Sequence, residues 1–463
     1  GHAIVGIIDP AQRQYAHLGD AGSQTDNLTY DAALGATERK GGSSGAQDDR
    51  WAFTTDLPAN NLAVAGALAA AGTIQLGSVR KAQAAGSSAV GPDTVIKKNV
   101  CTHCSVGCTV TAEVVNGVWV GQEPSYASPI NRGTHCAKGA AIRELVSSDR
   151  RLKYPMKLEG GQWKRISWDQ AYEEIGDKLI QIREKNGADS VYWLGSAKFT
   201  NEASYLMRKF AALWGTNSID HQARICHSTT VAGVANTWGY GAQTNSYNDI
   251  RNAKTMIILG GNPAEAHPIS MQHVLSGKEI NRANMIVIDP RFTRTASVAD
   301  LYCPIRQGTD IAFLSGVAKY LIDNDKLQHR YVAAYSNAGY VVREGYDFSE
   351  GLFAGYDADK RDYDKTTWDY EIGPDGYAVV DETMQHPRCV MQLLKKHIAI
   401  YTPEMVERIC GSPKETFLKV CELMATTSSP ERTMASLYAL GWTHHSKGSQ
   451  NIRSMCIVQT LLG

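Results

Sequence analysis

Cys101, Cys104 and Cys108 stand in the spacing C-x2-C-x3-C, and Cys136 follows after 27 intervening residues. No other feature of the sequence restricts the surrounding chain as tightly, because four thiolates in this pattern read as one metal centre. Structural zinc sites usually pair two C-x2-C knuckles symmetrically. Three close thiolates and one distant one suit a 4Fe–4S cubane better: a short loop wraps three irons and a second loop supplies the last ligand. Soft thiolates select both metals, so zinc is the competing reading. His103 lies inside the loop and is read as facing solvent or capping it rather than as a ligand. Lys138, two residues beyond Cys136, is either an ordinary solvated charge or a group between the cluster and a second redox centre.

The other six of the ten cysteines (Cys226, Cys303, Cys389, Cys410, Cys421 and Cys456) are scattered through a chain of 463 residues. A disulfide scaffold would be shorter and denser in cysteine, so most of these read as small buried hydrophobes. The length allows two or three domains with well-buried cores. Lys plus Arg equals Asp plus Glu, 47 against 47, which gives no reason to expect nucleic acid or an acidic membrane surface as the main partner. The chain starts at Gly1 and stops at Gly463 inside the apolar run Ile457–Leu462, and it reads as a fragment.

Residues 1–95 are expected to be a disordered or export-signal-like segment. The first part is rich in Gly, Ala, Ser, Thr, Asp and Asn without a sustained period. The apolar stretch Leu62–Gly72 is shorter than the ~20 residues that span a bilayer. Ala82-Gln83-Ala84 follows it as an A-x-A cleavage pattern. An Ala-rich surface helix competes with the export reading, and the nearest upstream arginine is the single Arg50 where a pair is expected.

Residues 96–155 read as a cluster domain and residues 156–463 as an α/β region. Thr109 to Val120 alternates as a hairpin does, with Asn116-Gly117 as a type I′ turn. Helices are expected over Trp168 to about Lys185, Thr200 to Trp214, Ile269 to Gly277, and Ile311 to Asn324. Strands are expected over Ser190 to Leu194, Thr255 to Leu259 and Met285 to Asp289. Strands alternating with helices predict a doubly wound parallel sheet. Asn337 to His386 is polar and rich in Tyr, Asp and Gly, and reads as an inserted loop region.

Two further features carry chemistry. A thiolate beside a histidine, as in Cys226-His227, can be a nucleophile or a metal ligand, although a lone pair of this kind is more often structural. Gly260-Gly261-Asn262-Pro263-Ala264-Glu265, Asp289-Pro290-Arg291 and Gly308-Thr309-Asp310 each follow a strand or open a helix. Ligands of open α/β sheets sit beyond the carboxyl ends of the strands. Glycine lets backbone N–H groups approach a pyrophosphate, and a helix start favours its charge. The G-x-G-x-x-G fingerprint of a standard NAD site is missing, so three such loops point to a different nucleotide-bearing cofactor.

In combination, the C-x2-C-x3-C…C-x-K-G segment, Arg224-Ile225-Cys226-His227, the Gly260–Pro268 loop, Asp289–Ala296 and Tyr438–Thr443 resemble the molybdopterin oxidoreductases. More closely they resemble the catalytic major subunit of the membrane-associated respiratory formate dehydrogenases of the N and O types, from about Asn99 to Gly463. The resemblance implies formate oxidation to CO2 at a bis(molybdopterin guanine dinucleotide) cofactor carrying molybdenum or tungsten. It implies that Cys101, Cys104, Cys108 and Cys136 hold the 4Fe–4S cluster and that Lys138 relays electrons between cluster and pterin. Cys226 takes the position of the metal-ligating selenocysteine or cysteine, with His227 as its neighbouring proton acceptor. Asn262 and Glu265 match the pterin loop; Asp289, Arg291, Gly308 and Asp310 match positions that hold a guanine dinucleotide. The family's catalytic arginine, in a Leu-Arg-Gly motif, and the second cofactor half-site are expected beyond Gly463. Also implied are an iron–sulfur beta subunit, a cytochrome b gamma subunit, the quinone pool as electron sink, and a periplasmic location with membrane contact only through partners; a cytoplasmic location is the alternative. A nitrate reductase of the same family and a non-catalytic iron–sulfur electron-transfer subunit are the competing functions.

Overall fold

The computed structural model describes residues 93–349 and 351–463, so residues 1–92 of the expected disordered or export-like segment lie outside the described residues, while Thr94 and Val95 at its end instead open a strand, paired with Val115 and Val114. The chain divides into two compact units. In the smaller, β1 (Thr94–Val100), β2 (Thr109–Val115) and β3 (Val118–Pro124) form an antiparallel sheet in that order. The expected hairpin is present: Asn116 and Gly117 both take positive φ, 50° and 78°, as a type I′ turn requires. After β3 the chain loops back to two short helices, α1 (Ala137–Ala140) and α2 (Ile142–Ser147). The smaller unit ends at Arg151.

The larger unit begins with the hairpin β4 (Met156–Glu159) and β5 (Gln162–Arg165), followed by α3 (Trp168–Asn186). Ser167 Oγ accepts from Gln170 N at 3.1 Å and starts this helix. The next strand, β6 (Trp193–Gly195), begins later than the expected Ser190. Residues 188–190 take a 3₁₀ turn after Gly187, and regular pairing starts only where Trp193 N donates to Ser218 O at 2.8 Å. Helix α4 (Asn201–Trp214) is capped by Thr200 Oγ1, which accepts from Ala203 N at 3.2 Å. It leads to β7 (Ile219–His221), parallel to β6, and then to α5 (Ala223–Cys226) and α6 (Ser228–Trp238).

The main sheet follows. Its elements are β8 (Thr255–Leu259), α7 (Pro263–Ala266), α8 (Met271–Asn281), β9 (Asn284–Ile288), β10 (Leu301–Cys303), α9 (Asp310–Asp323) and α10 (His329–Tyr335). The expected strand at 255–259 is met residue for residue, and the second expected strand ends one residue earlier, leaving Asp289 just past its tip. Helix α8 starts at Met271 because Pro268–Ser270 takes a 3₁₀ turn first. The inserted region is built of isolated bridges and of four two-residue strands, β11 (Phe348–Ser349), β12 (Leu352–Phe353), β13 (Tyr356–Asp357) and β14 (Asp362–Tyr363). Then come α11 (Val390–Ile398), α12 (Pro403–Cys410), α13 (Lys414–Ala425), β15 (Met434–Tyr438), α14 (Leu440–Thr443) and α15 (Gly448–Leu462).

All four strands of the main sheet are parallel, in the order β10-β9-β8-β15. Side chains of a strand alternate between faces. Met256, Ile258, Met285 and Val287 pack with Met271 and Val274 of α8 on one face. Ile257, Leu259, Ile286 and Ile288 pack with Phe313 and Val317 of α9, Phe417 of α13 and Met455 of α15 on the other. Both faces are therefore covered, which is why β8 and β9 read as unbroken apolar runs. Cys303, Cys389, Cys410, Cys421 and Cys456 are all buried in the second face, as small hydrophobes. Burial pushes the Cys303 thiol up to about 11 and the Cys456 thiol up to about 12. The chain runs outward from β8 through β9 to β10, then returns to the other side of β8 as β15. That reversal is a topological switch point, where ligands of open α/β sheets bind.

Candidate functional site

In the smaller unit, Cys101 and Cys108 lie just past the paired ends of β1 and β2, and Cys101 N donates to Cys108 O at 2.8 Å. The loop carrying Cys136 is pulled onto the same end by Asn131, whose side chain is fully buried. Its Oδ1 accepts from Thr109 N at 2.9 Å, and its Nδ2 donates to Thr109 O at 3.2 Å and Thr134 O at 3.0 Å. Cys136 then caps α1, and Gln122 Nε2 on β3 ties off the other end through Gly139 O at 2.8 Å. Lys138 sits on this turn, and with His103 and Glu144 it lines an open depression of about 520 Å³. Among the described residues, no three His, Cys, Asp or Glu side chains converge where one metal ion would be held. A cubane asks something different of four thiolates, since each binds a separate corner. The soft donor set fits iron–sulfur chemistry.

In the larger unit, the switch point falls between the loop after β8 and the loop after β15, whose backbones touch. Gly441 N donates to Gly260 O at 3.0 Å, and a Cβ on Gly441 would lie 2.7 Å from Gly260 Cα. Gly260 takes φ +56°, so backbone rather than side chain forms this wall. Beneath it Trp442 is buried, and its Nε1 donates to Asp310 Oδ1 at 2.8 Å. A wall of bare backbone at a switch point fits a phosphate-bearing cofactor.

The expected cofactor residues gather along this edge. Asn262 Oδ1 accepts from Thr295 Oγ1 at 2.6 Å, which links the loop after β8 to the one after β9. Glu265 pairs with Arg294 at 3.3 Å on the surface. Asp289 Oδ1 accepts from Arg291 N at 2.9 Å, while the Arg291 side chain is exposed. Burial pushes the Asp289 carboxyl above its ordinary value, against the opposing Arg291 N–H and charge, and the nearby Asp310 charge adds to the rise. Gly308 takes φ +80° and faces the His445 ring. Asp310, expected at the nucleotide, is engaged by Trp442 and so helps hold the β15 loop in place.

Cys226 ends the single turn α5, and its N–H donates to Gln222 O at 3.0 Å. The following helix α6 is tied to the segment after β15. Thr229 Oγ1 donates to Thr443 O, Thr230 Oγ1 and Thr443 Oγ1 share a hydrogen bond of 2.9 Å, and Gly233 lies flat against Ile452 of α15. These contacts bring Cys226 Sγ to 3.2 Å from His444 Nε2, closer than the 3.7 Å to Nε2 of its sequence neighbour His227. His444, 218 residues from Cys226, is absent from the sequence-based set of site residues. The signal was the His444-His445 pair directly after Tyr438–Thr443, but no spacing rule connects it to Cys226.

Four cysteines at and beside a small antiparallel sheet, followed by a parallel α/β sheet with a topological switch point, are the class of arrangement found in cofactor-bearing redox proteins. Residues 94–148 match the molybdopterin oxidoreductase Fe4S4 domain and residues 151–463 match molybdopterin oxidoreductase itself. The chain belongs to the molybdopterin oxidoreductase family, whose domains imply a molybdopterin cofactor and an Fe4S4 cluster. It is 48% identical over 387 residues to the nitrate-inducible formate dehydrogenase major subunit of Escherichia coli, covering 79% of this chain and 38% of that protein. It is 47% identical over 390 residues to the formate dehydrogenase-O major subunit of the same organism, again covering 79% and 38%. The chain thus spans under two-fifths of the length of these relatives. Among solved structures, acetylene hydratase from Pelobacter acetylenicus matches with a TM-score of 0.54 at 21% identity, over 79% of this chain and 43% of that one, which shows the fold.

Proposed function

We propose that this chain is the part of a formate dehydrogenase catalytic subunit that carries the cluster, the metal-ligating cysteine and one cofactor half-site. The observation that carries formate as substrate is the Cys226-His227 pair tied to the segment after β15, in a chain 48% identical to a protein named as a formate dehydrogenase major subunit. The proposed division is a cluster domain at 96–155 and a cofactor region at 156–463. Cys101, Cys104, Cys108 and Cys136 would hold the cluster, and Cys226 the molybdenum or tungsten. Asn262 and Glu265 would line the pterin of a bis(molybdopterin guanine dinucleotide), and Asp289, Arg291, Gly308 and Asp310 one of its guanine dinucleotides. When bound, the metal would supply a two-electron acceptor for formate and the cluster a one-electron carrier.

The chain's own residues supply the rest. The Cys226 sulfur is a soft ligand that sets the metal's environment. His227 takes the proton that formate loses on becoming CO2, at a ring nitrogen that accepts when the imidazole is neutral. Lys138 provides a fixed positive charge beside Cys136 on the electron path. An iron–sulfur partner, a cytochrome b partner and the quinone pool are proposed as the electron sink, supported by the words "major subunit" in the relatives' names. Periplasmic export is proposed on the pattern Leu62–Gly72 followed by Ala82-Gln83-Ala84. Among the described residues no helix is long and apolar enough to cross a membrane.

The decisive experiment is Cys226→Ala in the full-length protein, assayed by formate-dependent dye reduction. Formate oxidation should be lost while the cluster's absorbance and the iron content stay unchanged. Unchanged turnover would overturn the assignment, and a substrate panel that includes nitrate separates the two activities.

A further inference from the structure

We propose that His444 is a positioning residue for the Cys226 sulfur, its Nε2–H donating to Sγ and holding the sulfur in the direction from which it binds the metal. The inference rests on the assignment of Cys226 as metal ligand and deepens it. Local structure alone does not aim this sulfur. α5 is one turn of four residues, and a single helical turn is only marginally stable by itself. The His227 that follows has Nε2 0.5 Å farther from the sulfur than His444 Nε2, at 3.7 Å against 3.2 Å.

His444, by contrast, belongs to a rigid frame. Trp442, two residues before it, is buried and bonded to Asp310. Thr443 is bonded to both Thr229 and Thr230. Gly448, four residues after it, lies so close to Trp442 O that a Cβ would be 2.4 Å away. The frame therefore acts on the sulfur through the imidazole, and the sulfur does not hold the frame. Groups that hydrogen-bond to a metal ligand fix its orientation in the same way, and losing one typically costs about 10–100-fold in metal affinity or activity.

The test uses full-length holoenzyme loaded with iron and with molybdenum or tungsten, and two variants, His444→Ala and His444→Gln. The readouts are the rate of Cys226 alkylation by iodoacetamide, followed on its peptide by mass spectrometry, and X-ray absorption at the molybdenum or tungsten edge. Alkylation measures how often the sulfur leaves the metal and does not depend on which substrate the enzyme uses. In His444→Ala, alkylation should quicken by about tenfold and the metal–sulfur signal should weaken. His444→Gln keeps an N–H donor and should return both readouts close to the unaltered enzyme. Variants indistinguishable from the unaltered enzyme would overturn the role of His444 alone. A glutamine variant as impaired as the alanine one, with iron content intact, would also overturn it, because packing and not the donor would then matter. Fast alkylation of Cys226 in the unaltered, metal-loaded enzyme would instead overturn the ligand assignment, and this inference with it.

Discussion

The two parallel sheets of the larger unit obey the same rhythm and reach opposite ends of the burial scale. In the four-stranded sheet every residue of β8 is buried, and helices cover both faces. The pair β6–β7 is three residues long, and its flanking helices leave large apolar side chains exposed, with Ile175 of α3 at 60% and Leu213 of α4 at 76%. Along α3 and α4 only Ala171, Ala211 and Trp214 are buried. An apolar residue at helical spacing states which face seeks cover; it stabilises only where another element supplies that cover.

That contrast can be broken most directly in the core. Ile257→Ala, at a position 1% exposed, should cost about 2–5 kcal/mol in chemical denaturation, whereas Ile175→Ala should change stability by less than about 0.5 kcal/mol. Similar losses at both positions would show that α3 is covered after all.

Glycines at the two sheets give a second, smaller contrast. A Cβ at Gly441 meets backbone at 2.7 Å, while the tightest contact of one at Gly195 is the His221 ring, at 3.0 Å, with backbone no nearer than Asp220 O at an ordinary 3.5 Å. Gly441→Ala should lower stability by about 1–3 kcal/mol through overpacking and disturb the fluorescence of Trp442. Gly195→Ala should be milder, because a side chain can move aside; thermal unfolding of the two variants measures the difference.

The smallest effect belongs to the inserted region, which falls between β10 and β15 in the chain. Asp381 accepts from Thr383 Oγ1 at 2.6 Å, Thr383 N at 2.9 Å, Gln385 N at 2.8 Å and His386 N at 2.7 Å. The Thr383 hydroxyl and the His386 N–H hold its carboxyl down to about 2, below the unfolded value of ~3.9. A lowered carboxyl stabilises the fold fully above the unfolded value and loses that contribution as pH falls through the folded one. Amide hydrogen exchange around residues 381–386 should therefore quicken between about pH 4 and pH 2, and Asp381→Asn should blunt that pH dependence.

Legibility in the sequence follows the same division. Thr255–Leu259 was read to the residue because a strand buried on both faces is an unbroken apolar run, stopped here by Gly260-Gly261. The four cysteines and Asn116-Gly117 were legible because their meaning lies in spacing and turn chemistry over a few residues. β6 was placed too early, since its limits depend on pairing with β7, a three-residue segment with no apolar signature. β15 went unassigned for a related reason: Met434–Tyr438 becomes a strand by pairing with β8 across most of the larger unit.

By itself, then, the sequence determined the soft four-thiolate set, the alternation of strand and helix, and the presence of Cys226-His227. These are local properties, carried by residue type and short spacing. Only the tertiary structure decided that β15 returns beside β8 to form a switch point, that Asp310 accepts from Trp442, and that His444 stands 3.2 Å from the Cys226 sulfur. The physical reason is that each of these joins segments far apart in the chain, and their meeting is set by how two faces of one sheet are covered rather than by any short stretch of residues.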